Sequence, residues 1–218
     1  LAATWNIDLI KKVGVTLAKE CRTEQVSVIL GPGVNIKRHP LGGRNFEYFS
    51  EDPLLTGKLA SGLIEGIQSE GIGTSIKHFA VNNHETGRMV VDAIVDERTL
   101  REIYLPGFEI PIKESQPWTV MCSYNKVDGT YLSENHRLLT EILRDEWGFN
   151  GLVMTDWGAT NQRVEGVKAG LDLEMPASGS LNTDKIIKAV QRGELSNDAL
   201  NACVTRLLAL IIKSRRLL

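Results

Sequence analysis

Gly151-Leu152-Val153-Met154-Thr155-Asp156-Trp157-Gly158 sets four apolar or β-branched residues between glycine and a carboxylate–indole pair. A strand buried on both faces reads as a continuous apolar run of this kind, and in barrels of alternating strands and helices the chemistry sits where such strands end. Asp156 is therefore the candidate nucleophile. The competing local reading is that it caps the next helix, since Asp is common at helix entry.

Working outward, comparable short runs recur at Val26–Leu30, Gly73–Phe79, Trp118–Tyr124 and Leu171–Met175, making five strands with Leu152–Thr155. Helical spacing fills the intervals. Leu55, Leu59, Leu63 and Ile67 form one stripe, and Leu138, Leu139, Ile142 and Leu143 another. Asp52-Pro53 supplies an N-cap and an N1 proline, Gly71 and Gly148 mark helix ends, and Asp96, Asn135, Thr160 and Ser196 are further N-cap candidates. Pro106 should kink or split its helix. Leu1–Glu20 reads as a helix, as do Thr183–Arg192 and Ser196–Arg215, the last two being packing helices.

Alternating strands and helices imply a parallel sheet, either closed as a barrel or open and doubly wound. Polar residues follow every strand, which suits a barrel mouth. Gly31-Pro32-Gly33 lacks both the Gly-x-Gly-x-x-Gly pattern and a Walker lysine and reads as a tight turn. The fold class expected is thus α/β, a (β/α)8 barrel. Because such barrels take about 250 residues and eight strands, and the chain has 218 residues and opens on a helix, the barrel is expected to be incomplete at its N-terminal side, with exposed edges.

Composition narrows the function. The chain is 42% hydrophobic and 24% charged with a formal charge of −2, which offers no basic footprint for nucleic acid or anionic membrane. No apolar stretch approaches the roughly 20 residues of a bilayer span. Cys21, Cys122 and Cys203 are widely separated, with neither a disulfide nor a zinc spacing. No metal or organic cofactor is implied. The chain begins without an initiator Met, a basic n-region or a long apolar h-region, and its compartment stays open between cytoplasm and periplasm.

The strand ends supply Arg44, Lys77-His78, Tyr124 and Asp156-Trp157. Together they suit a sugar, whose hydroxyls need several donors and acceptors, whose C–H face packs on an aromatic ring, and whose anomeric carbon a carboxylate can attack. Singly, each has a plainer reading. Lys77 could be ion-paired, His78 a core imidazole, Arg44 an anchor for Glu47 or Asp52, and Tyr124 the tether of a loop. Lys77 also fits a Schiff-base lysine of an aldolase-like barrel.

Five ordered motifs strongly resemble glycoside hydrolase family 3, the β-glucosidase family: Gly31–Arg38, Gly43–Pro53, Lys77–Glu85, Met121–Asn125 and Val153–Gly158. The resemblance spans the chain, implying one partial N-terminal barrel domain over 1–218 and no second domain within it. It implies a retaining β-glycosidase in which Asp156 forms a covalent glycosyl-enzyme, Arg44, Lys77 and His78 bind the hydroxyls of the nonreducing sugar, Tyr124 orients the nucleophile, and Met121 and Trp157 supply apolar walls. A β-glucoside or related oligosaccharide is the expected partner, with self-association or a missing barrel segment and C-terminal domain completing the protein. In most branches that domain carries the acid/base, so none is assigned here. Asn35 stands where the family often has Asp, which puts an ion pair to Lys37 or Arg38 in doubt. The segment after His78 departs from the histidine-dyad branch, so His84 is not read as an acid. Glu47, Glu51 and Glu85 are read as structural. The rival from another class is a noncatalytic sugar-binding or assembly fragment.

Overall fold

A computed structural model of the chain describes residues 1–215; the last three residues of the expected 1–218 domain lie outside the described residues. Chain order runs α1 (Ile7–Thr23), β1 (Val28–Ile29), α2 (Pro53–Ser69), β2 (Gly73–Phe79), β3 (Asp92–Ala93) and α3 (Glu97–Thr99), which continues as a π-helical turn, Leu100–Tyr104. Then come α4 (Pro106–Ser115), β4 (Thr119–Cys122), β5 (Lys126–Val127), β6 (Thr130–Tyr131), a π-helical segment Arg137–Glu146, β7 (Leu152–Thr155), α5 (Arg163–Ala169), α6 (Ser180–Gln191) and α7 (Asn197–Arg215).

Strands β1, β2, β4 and β7 stand side by side in that order, all parallel. Leu171–Met175 takes the fifth position: only Met154 and Leu173 form a ladder bridge, yet Leu173 N and Thr155 N exchange bonds across the pair, to Val153 O and Leu173 O, both at 3.0 Å. This is an arc of a (β/α)8-type barrel, with sequential strands adjacent and helices between them. β1 is shorter than the expected Val26–Leu30. Its backbone bends where Gly31 N bonds Ile29 O and then runs on extended beside β2, with Ser75 N on Gly31 O (3.1 Å) and Lys77 N on Pro32 O (2.9 Å). Gly31-Pro32-Gly33 is therefore an extension of the edge strand, not a tight turn. A Cβ at Gly33 would lie 3.0 Å from the Tyr48 ring, so a larger residue there would push that ring aside.

One sheet face carries Ile76, Val120 and Val153 against Leu59, Ile64, Phe108 and Leu139 of the flanking helices. The other carries Met121, Leu152 and Met154 against Leu173, Met175 and the α7 residues Leu207 and Leu210. Period-two alternation thus sorts each strand onto two apolar layers. Phe79, fully buried, meets Phe108 and Trp147 edge-on at centroid distances of 5.3 and 6.0 Å. Such pairs add about 0.5–1.5 kcal/mol each beyond burial, and these fix the end of β2.

Most of the expected caps hold: Asp52, Asp96, Asn135 and Ser196 each accept a backbone N–H of the following turn. Thr160 does not, because α5 starts three residues later with Gln162 at its N-cap. After a 3-10 turn at Ala2–Thr4, α1 begins at Ile7 and not at Leu1, since extended Asn6 caps it through Leu9 N. Pro106 splits its helix as expected, opening α4 at N1. The small sheet β3-β5-β6 was not expected; two-residue strands are too short to show a period. Among the described residues no helix is long and apolar enough to cross a membrane.

Candidate active site

The ends of β2, β4 and the fifth strand meet the end of β7 around Asp156. Its own N–H bonds Cys122 O at 2.9 Å, tying the end of β7 to the end of β4. The next helix begins only at Arg163, so Asp156 caps nothing. Instead Ala159 N returns to Asp156 O (3.0 Å), with Gly158 at φ +84°, which a residue with a Cβ rarely adopts. The carboxylate's two oxygens are treated differently. Oδ1 accepts from Trp157 N at 2.6 Å, whereas Oδ2, buried, has no hydrogen-bond partner. The carboxylate thus has one oxygen fixed and one without a partner.

His78 faces that free oxygen, its Nε2 at 3.5 Å from Oδ2. The ring is 1% exposed. Burial, reinforced by Arg44, Lys77 and Arg88, pushes the imidazole from 6.5 down to about 2, so it is neutral and the pair is not an ion pair. Tyr48, whose hydroxyl burial keeps protonated well above the usual phenol range, lies 3.2 Å from Nδ1. With the carboxylate able only to accept, the consistent tautomer has Tyr48 donating to Nδ1 and Nε2–H directed toward Asp156. Asn35 clamps the same residue by its backbone, taking His78 N at 2.8 Å and giving Nδ2 to His78 O at 3.0 Å. Position 35 thus holds His78 by an amide and makes no bond to Lys37 or Arg38.

Arg44 Nε meets Glu47 Oε1 at 2.5 Å, and Lys77 Nζ lies 3.5 Å from Glu47 Oε2. One carboxylate therefore aligns two cations that both act on the His78 imidazole; of the two anchors considered for Arg44, Glu47 is the one used, while Asp52 serves α2. Tyr124 lies beside Asp156, and burial followed by that carboxylate raises its phenol to about 12. Its hydroxyl donates to Trp157 O at 2.9 Å and also lies close enough to the Asp156 carboxylate to interact with it. Trp157, next in sequence to Asp156, is 59% exposed, whereas Met121 is buried among Leu152 and Met154. Among the described residues no three His, Cys, Asp or Glu side chains cluster as metal ligands.

Sequence reasoning passed over Tyr48 and Arg88. Arg88 pairs with Glu85 at 2.8 Å and stands 4.6 Å over the Tyr124 ring. Both come from loops, where no strand or helix period marks a residue as facing the site.

A family model described as the glycosyl hydrolase family 3 N terminal domain matches residues 1–210. The chain belongs to that family. It is 56% identical over 211 residues to thermostable β-glucosidase B of Acetivibrio thermocellus, covering 97% of the chain and 28% of the relative. It is also 54% identical to an exo-α-(1→6)-L-arabinopyranosidase of Bifidobacterium longum, covering 99% of the chain and 28% of that relative. Among solved structures it superposes on the family 3 β-glucosidase of Bifidobacterium adolescentis with a TM-score of 0.97 at 51% identity, over 99% of the chain and 32% of that chain. Against β-glucosidase 3B of Thermotoga neapolitana in complex with glucose the TM-score is 0.95 at 49% identity, over 99% and 32%. The family 3 member thus spans between a quarter and a third of the length of these proteins, consistent with an arc in place of a closed barrel.

Proposed function

We propose that this chain carries the nucleophile and much of the first sugar subsite of a retaining glycoside hydrolase that releases nonreducing-end β-D-glucosyl residues. The observation that carries this is the division of labour in Asp156, one oxygen fixed by Trp157 N–H and the other buried and unpartnered beside His78. In this reading Oδ2 attacks the anomeric carbon, the bond to the leaving oxygen breaks with its electron pair, and water later resolves the glycosyl ester. Arg44 and Lys77 donate to sugar hydroxyls beside the neutral His78 ring, and donors placed before reaction tighten as positive charge develops on the ring. The exposed Trp157 indole offers a face for the sugar's C–H surface. Relatives named as β-glucosidases and arabinopyranosidases support a glycoside substrate.

Incubating the protein with an activated 2-deoxy-2-fluoro-β-glucoside and mapping the adduct tests this. One adduct on Asp156 is expected, and Asp156→Ala should lose it together with about 10⁴-fold or more of turnover, the scale of losing a nucleophile. Glucose binding by calorimetry without adduct or turnover would favour the noncatalytic sugar-binding fragment. The aldolase reading is not favoured, since Lys77 Nζ is paired with the Glu47 carboxylate and the similar proteins are named as glycosidases.

A further inference from the structure

We infer that Thr155 is a positioning residue for the nucleophile: its hydroxyl replaces one backbone rung between β7 and the fifth strand and so frees the Trp157 N–H for Asp156. This rests on the role of Asp156 proposed above. The two strands are joined in parallel at Met154 and Leu173, with Leu173 N on Val153 O and Thr155 N on Leu173 O. Rungs of a parallel ladder are evenly spaced, so the same register continued would set Met175 N on Thr155 O and Trp157 N on Met175 O. The chain departs from that pattern at both places. Met175 N goes instead to Thr155 Oγ1 at 2.8 Å, and the same hydroxyl donates to Met175 O at 3.2 Å.

Released from the ladder, Trp157 N reaches Asp156 Oδ1 at 2.6 Å, and Gly158 N takes its place on Met175 O at 2.7 Å. Gly158 turns the chain back to do so with its φ of +84°. Met175 O therefore receives the Thr155 hydroxyl and the Gly158 amide together, holding the residues on both sides of the Asp156-Trp157 pair against the fifth strand. Thr155 is fully buried, which keeps water from standing in for the hydroxyl. Without it, the Met175 N–H lacks an acceptor unless β7 shifts to offer the Thr155 carbonyl, and that shift returns Trp157 N to the ladder and takes the donor from Oδ1. Asp156 N is tied separately to Cys122 O, so the hydroxyl governs how the carboxylate is aimed, not where β7 ends. Serine carries the same donor and acceptor, whereas valine keeps the shape and has neither.

If Thr155 acts by aiming the carboxylate, its hydroxyl matters to the chemical step and not to sugar affinity. The test follows adduct formation from the 2-deoxy-2-fluoro-β-glucoside, at saturating and subsaturating reagent, in the native protein, Thr155→Val, Thr155→Ala and Thr155→Ser, with circular dichroism to establish that each is folded. Expected are an adduct in the native protein and a saturated rate about tenfold lower in Thr155→Val and Thr155→Ala, the scale of one buried donor left unpaired. The half-saturating concentration should stay within about twofold of native, and Thr155→Ser should recover to within about threefold of the native rate. Alanine and serine differ by the hydroxyl alone, so that pair decides where Thr155→Val does not fold. A serine variant as slow as the alanine variant would overturn the inference, as would a change confined to half-saturation. So would failure of both Thr155→Val and Thr155→Ala to fold beside a folded Thr155→Ser, which would make the hydroxyl an element of stability only. Native protein that forms no adduct would overturn the role of Asp156 and this inference with it, whereas a labelled native protein with Thr155→Ala at the native rate would sink this inference alone.

Discussion

His78 carries the sharpest electrostatic consequence at the residue scale. Folded, it stays unprotonated down to about 2, while an unfolded imidazole takes up a proton near 6.5. Below 6.5 the unfolded state therefore binds more protons, so this group makes stability rise with pH from about 2 to 6.5 and contributes no slope above. Between about pH 7.5 and 5 the cost to the fold is about 2 kcal/mol. His78→Gln removes the titration, and denaturant midpoints at the two pH values should draw together by that amount relative to the native protein; parallel losses in both would contradict it. Much of the candidate site was legible because Lys77, His78, Tyr124 and Asp156 each follow a strand whose apolar run is visible in the sequence. What was not legible was partnership. Nothing in the order of residues says that Glu47 joins Arg44 to Lys77, that Tyr48 sets the His78 tautomer, or that the Tyr124 hydroxyl goes to a carbonyl.

Among the elements, β7 owes its position to one buried carboxylate. Asp172, with a side chain entirely out of solvent, accepts from Arg144 Nη2, Arg206 Nε and Val153 N, all at 2.8 Å. It thereby ties together the π-helical segment Arg137–Glu146, α7 and β7. Arg144 also donates to Gly151 O and Gly170 O, and burial holds its guanidinium below the usual range. Removing one partner from such a set leaves an uncompensated buried charge, which costs about 3–5 kcal/mol. Asp172→Ala should lose that much in urea denaturation, and a loss under about 1 kcal/mol would mean the arginines find water instead. The five strand positions and the helices between them could be read from apolar period, since each buries enough side chains to display it. The hairpin β5–β6 and the exact start of α1 could not, because two-residue strands and a single capping Asn leave no periodic trace.

At the scale of the whole molecule, a parallel arc places every strand's C-terminal end on one side, and that is why loops far apart in sequence meet at Asp156. Retaining hydrolysis needs a second carboxyl group to protonate the leaving oxygen. Glu47 and Glu85, two carboxylates near this mouth, are engaged: Glu47 holds Arg44 and Lys77, and Glu85 holds Arg88. Neither is free to approach a leaving group without releasing a cation. General-acid assistance is worth about 10²–10⁴ in rate, and it matters least when the leaving group departs well unaided. The 218-residue chain by itself should therefore cleave aryl β-glucosides with a rate that falls steeply as the leaving phenol becomes less acidic, and should leave disaccharides almost untouched. A plot of log kcat/KM against leaving-group pKa measures this directly. A flat line with ready cleavage of disaccharides would mean that a carboxyl within this chain delivers the proton, and Glu47→Gln and Glu85→Gln would then show which of the two steepens it.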